Sequence, residues 1–191
     1  MNNLEIQNIV NVFFPRLMVS EQFKSLLQFD RELEPWAYYS EGFEFHFCQE
    51  KWVFKAWSDD DVFINSFWEF GMANGSGSTY AFWLNEGEAS LINAPIVIFG
   101  DEGGVHVVAN NFEFFLKLLT FDCEPMVDLD SVDYIKSDDF EPSEYSHKYN
   151  YWLQKTYNIS PVKSVICIVK QAQERHKQKL DLFMSKFINS I

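Results

Sequence analysis

Apolar positions change their period along the chain. Leu4, Ile6, Ile9, Val10, Phe13 and Phe14 recur at three- and four-residue steps, the spacing of one helix face. Pro15 interrupts that run. Ser20 followed by Glu21 is a helix start, leading to Phe23, Leu26 and Leu27 and ending near Gln28. A turn-like stretch covers Asp30 to Pro35. From Gly42 the period becomes two. Phe43, Phe45 and Phe47 alternate with Glu44 and His46, and Trp52 and Phe54 alternate with Val53 and Lys55. With Gln49 and Glu50 as the connection, this predicts an antiparallel hairpin closed by the charged turn Asp59, Asp60 and Asp61.

Phe63 to Phe67 reads as a further strand and Gly71 to Ser78 as a loop. Thr79 to Leu84 is aromatic and β-prone, Asn85 to Asn93 is a polar connection, and Pro95 introduces the apolar strand Ile96 to Phe99. Gly100 to Gly104 turns the chain and Val105 to Ala109 returns. Asn110 or Asn111 caps a helix over Phe112 to Leu119, whose apolar residues Phe112, Phe115, Leu116 and Leu119 share one face. Helical spacing returns over Tyr145 to Tyr157. Ser160-Pro161 is a further start signal, for a last helix from Val162 nearly to the end. Strands in the middle and helices at both ends predict an α+β fold. Its central sheet is mostly antiparallel (mixed), of about six strands, with helices from both chain ends packed around it.

Composition adds that 18% of residues are aromatic, with 20 Phe, enough to fill a core with large side chains. The 191 residues suit a single domain, 1–191, in which 121–191 forms an acidic segment plus a helical C-terminal extension. Net charge is −13. Phosphate backbones repel such a surface, so nucleic acid is excluded as an expected partner, whereas a basic protein is attracted and captured faster. The charge is uneven. Asp122, Glu124, Asp128, Asp130, Asp133, Asp138, Asp139, Glu141 and Glu144 face a single Lys136, and the last helix is basic, so the two blocks are expected to attract within the fold. Three scattered cysteines, Cys48, Cys123 and Cys167, argue against a disulfide framework. No apolar run is long enough for a membrane span and no basic leader opens the chain, so a cytoplasmic location is expected.

Candidate chemistry is sparse. The loop Asn74-Gly75-Ser76-Gly77-Ser78 lacks the lysine and following helix of a phosphate loop, and its glycines read as turn residues. Asp101 and Glu102 are adjacent, so their side chains diverge rather than converge on one bond. Asp128 to Asp133 lacks the glycine and terminal glutamate of a calcium loop. His46, His106, His147 and His176 show no metal-ligand spacing, and His46 with Cys48 is the one ligand nucleus on a common strand face. No catalytic, cofactor or metal residues are therefore expected. Trp36, Tyr38, Tyr39, Trp57, Trp68 and Trp83 fit a core better than a ligand groove.

The stretch from Gly71 to Leu119 carries a family signature. Ala73 to Ser78, then Tyr80-Ala81-Phe82-Trp83-Leu84, then Pro95 to Gly104, then Val107 to Asn111 and a leucine-rich helix resembles the SUKH superfamily. That superfamily includes fungal regulators of cell-wall glucan synthesis and bacterial immunity proteins of polymorphic toxin systems. The resemblance implies a SUKH-like α+β fold without catalytic residues. It also implies a toxin–antitoxin-like role: neutralising a cognate toxin, such as a basic nuclease or deaminase, by direct protein binding. The fungal members suggest the alternative, a regulatory or scaffold interaction domain without a toxin. Expected partner-binding residues are Asp128, Asp130, Asp133, Asp138, Asp139 and Glu141, and then Asp59, Asp60 and Asp61.

Overall fold

The computed structural model describes residues 3–35, 37–85 and 87–188. In chain order the elements are α1 (Asn3–Phe13), α2 (Glu21–Arg31), β1 (Glu44–Phe45), α3 (Trp52–Lys55), α4 (Asp61–Asn65), β2 (Phe67–Met72), β3 (Thr79–Trp83), β4 (Ile96–Phe99), β5 (Val105–Ala109), α5 (Phe112–Leu119), β6 (Met126–Val127), β7 (Val132–Asp133), α6 (Ser146–Tyr157) and α7 (Ile166–Met184). The fold is α+β. Strands β1 to β5 form one sheet in sequence order, every neighbour antiparallel, and β6 and β7 form a separate hairpin. The five-stranded sheet is thus a pure meander rather than mixed. The parallel contact seen is an isolated bridge between Met18 and Ser90.

Both faces of this sheet are covered, which explains why β3 and β4 are buried at every position. On one face Phe70, Tyr80, Phe82, Ile98 and Val108 pack with α1, α2, α5 and α6 through Ile6, Phe23, Leu26, Phe112, Phe115, Tyr149 and Leu153. On the other, Phe67, Ala81, Trp83, Val97, Phe99 and Val107 pack with Phe54 of α3, Phe63 of α4, and Ala172 and Leu180 of α7. Two phenylalanines organise these layers. Phe23 meets Phe14, Phe45, Phe70, Phe82 and Phe112 with ring centroids 5.2–6.0 Å apart. Phe67 meets Phe54, Phe63, Phe99 and Phe183 at 4.9–5.8 Å. Edge-to-face pairs of this kind add about 0.5–1.5 kcal/mol each beyond area burial.

The expected Phe43–Phe54 hairpin does not form. β1 pairs with β2 instead, Glu44 opposite Met72, and Trp52–Lys55 is a helical turn. A short apolar run cannot be assigned to strand or helix by period alone. The decisive local feature is Lys51, held in the left-handed region at φ 55°. Its ammonium donates to the carbonyls of Ile64 and Phe67, both at 3.0 Å, and lies 3.8 Å from the centroid of the Trp68 ring. Burial pushes the Lys51 pKa down to about 8.

The predicted strand Phe63 to Phe67 is α4 followed by the start of β2, which runs through Gly71 and Met72, residues expected in the loop. Asp60 caps α4, accepting from the amides of Val62 (2.8 Å) and Phe63 (3.4 Å). α7 begins at Ile166, four residues after the expected start at Val162. The caps Ser20 and Asn111 accept from Phe23 and Phe114 as read from sequence. No described helix is long and apolar enough to cross a membrane.

Phe23→Ala removes the ring that five others contact. It is expected to cost about 3–5 kcal/mol in urea unfolding, against less than about 0.5 kcal/mol for an exposed control such as Gln28→Ala.

Candidate functional site

The loop Asn74–Ser78 is closed on itself. Asn74 Oδ1 accepts from the amides of Gly77 (3.1 Å) and Ser78 (2.9 Å), and the Gly75 amide donates to Glu124 Oε1 at 3.3 Å. Its amides are therefore turned onto side-chain oxygens of the chain itself, not outward to a phosphate. The buried Ser78 hydroxyl donates to Asp101 Oδ1 at 2.6 Å and accepts from Asn74 Nδ2 (3.1 Å) and the Asp101 amide (3.2 Å). Ser76 Oγ lies 2.9 Å from the same Asp101 oxygen. The hydrogen bond from Ser78 holds the Asp101 carboxyl below its ordinary pKa, opposed by burial and helped by the weaker effect of Ser76. Asp101 thus ties the serine loop to the glycine turn.

That turn seats the β6–β7 hairpin. Gly104 has φ +82°, and a Cβ there would lie 2.1 Å from the Asp128 carbonyl oxygen and 2.8 Å from His106 Nε2. A Cβ on Gly103 would meet Leu129 at 2.8 Å, and one on Gly100 would meet Val127 at 2.7 Å. Buried His106 donates from Nε2 to the Asp128 carbonyl at 2.8 Å, which fixes its tautomer. Tyr134 and Tyr80 share a hydroxyl contact at 3.1 Å. The hairpin is therefore moored to the sheet by backbone-close contacts, not hung from it as a loop.

Beside it lies a cavity of about 540 Å³, lined by Glu41, Glu44, Glu124, Glu141 and Glu144 together with Tyr38, Met72 and Ser143. Its walls come from segments far apart in sequence, and Asp122 joins them. Held at φ 54° after α5, buried Asp122 accepts from the amides of Glu41 and Ser143, both at 2.8 Å, and from Ser143 Oγ at 2.5 Å. Gly42 is needed there too, with φ +74° and only 2.6 Å between an added Cβ and the Ala73 carbonyl. Partial burial, then the charges of Glu124 and Asp122, raise the Glu41 pKa. A second hollow of about 380 Å³ shares Tyr38 and Glu44 and adds Asp30 and Glu34. Burial pushes Asp30 up to about 6, against the lowering pull of Arg31 and of the Tyr39 hydroxyl. That hydroxyl is itself buried, with no partner of full hydrogen-bonding geometry among protein atoms.

Asp128, Asp130 and Asp133 sit exposed on the hairpin, and Asp138, Asp139 and Glu141 on the chain that follows. The hairpin and the cavity are joined in sequence through Glu124, Pro125 and Met126. Glu141 lies in the cavity wall. Asp59, Asp60 and Asp61 are not part of this group. They begin α4, and Asp61 borders a separate hollow with Asn65, Leu84 and Glu88. The expected attraction between the acidic block and the basic last helix makes no ion pair among the described residues. Lys177 pairs with Asp181 inside α7, and Lys24–Glu21 and Lys117–Glu113 are likewise within one helix. Lys136 lies over Phe140 (3.5 Å to the centroid) and Phe121 (4.8 Å).

Sequence reading did not single out Glu41 and Glu44, which lie far in sequence from the acidic block holding Glu124, Glu141 and Glu144 and meet those three only in the fold. His46 and Cys48 do not converge. His46 Nδ1 is 2.9 Å from Glu69 Oε1, while the Cys48 thiol faces Glu50 at 3.6 Å. Among the described residues no group of three or more His, Cys, Asp or Glu is arranged to hold a metal ion. Tyr39 and Trp83 belong to the core, Trp57 and Trp68 are half-buried, and Tyr38 is exposed at the cavity. Trp36 lies outside the described residues.

Two variants test this account. Gly104 and Gly87 share a φ of +82°, but an added Cβ at Gly87 meets nothing within 4 Å. Gly87→Ala is expected to cost about 1–2 kcal/mol from backbone strain alone. Gly104→Ala adds about 1–3 kcal/mol from the displaced hairpin, read by urea unfolding and by loss of amide-exchange protection at Asp128. Asp30 binds its proton more tightly folded, at about 6, than at its ordinary 3.8, so stability falls as pH rises across that window. Asp30→Asn is expected to flatten that slope in denaturation series and to stabilise the protein at neutral pH by on the order of 1–3 kcal/mol. Comparison of the chain with protein-family models, with curated proteins and with solved structures finds no match in any of the three.

Proposed function

We propose that this chain is a non-enzymatic binding protein of the immunity type. In this reading it neutralises a basic toxin domain, of the nuclease or deaminase class, by covering it with the acidic face built around Glu41, Glu44, Glu124, Glu141 and Glu144. The observation that carries the reading is the charge balance of this face. Five glutamates line one cavity, further exposed aspartates continue from it, and Lys136, in the same stretch of chain, lies over two aromatic rings. Carboxylates gathered without a paired cation raise the local negative potential, which attracts a cationic partner and speeds encounter. The raised Glu41 pKa is consistent with that potential. The absence of enzymatic activity is part of the same proposal. Asp101, one of the two adjacent carboxylates weighed for acid–base work, is engaged by two serines.

The test is co-expression with the product of the adjacent reading frame, scored for growth rescue and co-purification, followed by association kinetics. A Glu41→Lys, Glu141→Lys double variant is expected to slow association about tenfold at low salt and to flatten its ionic-strength dependence. Unchanged kinetics would refute the electrostatic capture, and an adjacent product that is neither toxic nor bound would favour the regulatory alternative.

A further inference from the structure

The acidic hairpin also carries apolar side chains that the described residues leave largely open to solvent. Met126 is 61% exposed, Leu129 70% and Ile135 65%. From Val132 to Ser137 the exposed positions alternate with inward ones. Val132 is buried and Asp133 exposed, Tyr134 half-buried and Ile135 exposed, Lys136 half-buried and Ser137 exposed. Period two in extended chain puts Asp133 and Ile135 on the outer side. Register adds Met126 to them, because Met126 is the cross-strand partner of Asp133, while Val127 pairs with Val132 on the inner side. Leu129 is at the tip, between Asp128 and Asp130.

Exposed apolar side chains in a loose loop would mean little. Here the backbone that carries them is fixed by the His106–Asp128 bond and by the close approach of Gly104, so their display is pre-organised. Apolar anchors inside a charged rim are the pattern of a protein interface, and pre-organisation lowers the entropy lost on docking.

We infer that Met126, Leu129 and Ile135 are the apolar anchors of a docking surface, and that its occupant is a protein segment combining an apolar cleft or side chain with flanking Lys or Arg. The inference rests on the binding-protein reading above and adds to it the contact that would hold the partner after electrostatic capture. Charge complementarity selects the occupant. The anchors stand among Asp128, Asp130 and Asp133, and each copy of the chain carries a net charge of −13, so a second copy would bring like charges face to face.

The experiment pans a random peptide library, displayed on phage, against the full chain, and then maps enriched peptides by methyl NMR. Enriched peptides are expected to pair an aliphatic or aromatic residue with Lys or Arg and to shift the methyl signals of Met126, Leu129 and Ile135. Leu129→Ser and Ile135→Ser, both at exposed positions, are each expected to weaken them about tenfold. Basic peptides that shift only signals around the glutamate cavity and bind both serine variants equally would overturn the anchors while leaving electrostatic capture intact. Failure to enrich any basic peptide would overturn both. Concentration-dependent dimerisation abolished by Leu129→Ser, seen by ultracentrifugation, would overturn the assigned occupant in favour of a second copy.

Discussion

The sheet is built from five short strands and leaves both of its faces apolar, so each face has to be covered by elements from elsewhere in the chain. This constraint orders the molecule. The segments before β1 and after β5, and the long β1–β2 connection with α3 and α4, carry the helices, because the tight turns of an antiparallel meander cannot cover its faces. α1 and α2 from the front, α5 after β5, and then α6 cover one face, while α3, α4 and α7 cover the other. Aromatic rings suit this arrangement, since one ring can touch several elements at once. Phe23 of α2 meets rings from three strands, from α5 and from the loop after α1. The 20 phenylalanines are in this sense an architectural requirement, not a compositional accident.

Much of this was legible in the sequence where a long, uniform period met a clear cap. α2 with Ser20, α5 with Asn111, and the strands β3, β4 and β5 are where apolar spacing and turn residues place them. Reading failed between Phe43 and Phe67, for a physical reason. Trp52-Val53-Phe54-Lys55 fits either period, and the deciding event is long-range: Lys51 reaches carbonyls 13 and 16 residues further on. No local propensity encodes such a contact. β6 and β7 were missed similarly, because two-residue strands have no period to read.

The candidate site divides along the same line. The aspartates of the hairpin are contiguous in sequence and were found there, whereas the cavity glutamates come from three separate segments joined by Asp122. The glycine turn shows how a signature can be legible while its reason is not. From sequence, Gly100, Gly103 and Gly104 are turn residues. In the fold a side chain at any of them would strike the 127–129 segment or, at Gly100, the turn itself, so the turn also serves as a seat. A scaffold motif thereby positions a surface that lies outside the motif.

Charge and packing then act together on that surface. None of the ion pairs seen among the described residues involves the acidic face. Lys136 lies over Phe121 and Phe140, and the lysines whose ion pairs are seen are matched within their own helices. Such exposed helical pairs contribute only about 0.3–0.5 kcal/mol each, so they do little for stability. Their larger effect is to satisfy basic side chains locally, leaving Glu41, Glu44, Glu124, Glu141 and Glu144 without a partner from the chain's own ion pairs. The resulting potential is screened over roughly 8 Å at physiological salt, so it governs approach. In the proposed reading, what holds a partner after contact is buried apolar area, which Met126, Leu129 and Ile135 would supply from a hairpin seated on the glycine turn. The mooring of the hairpin and the outward display of its apolar side chains are thus two consequences of how one short segment, 126–135, packs against the turn at 100–104.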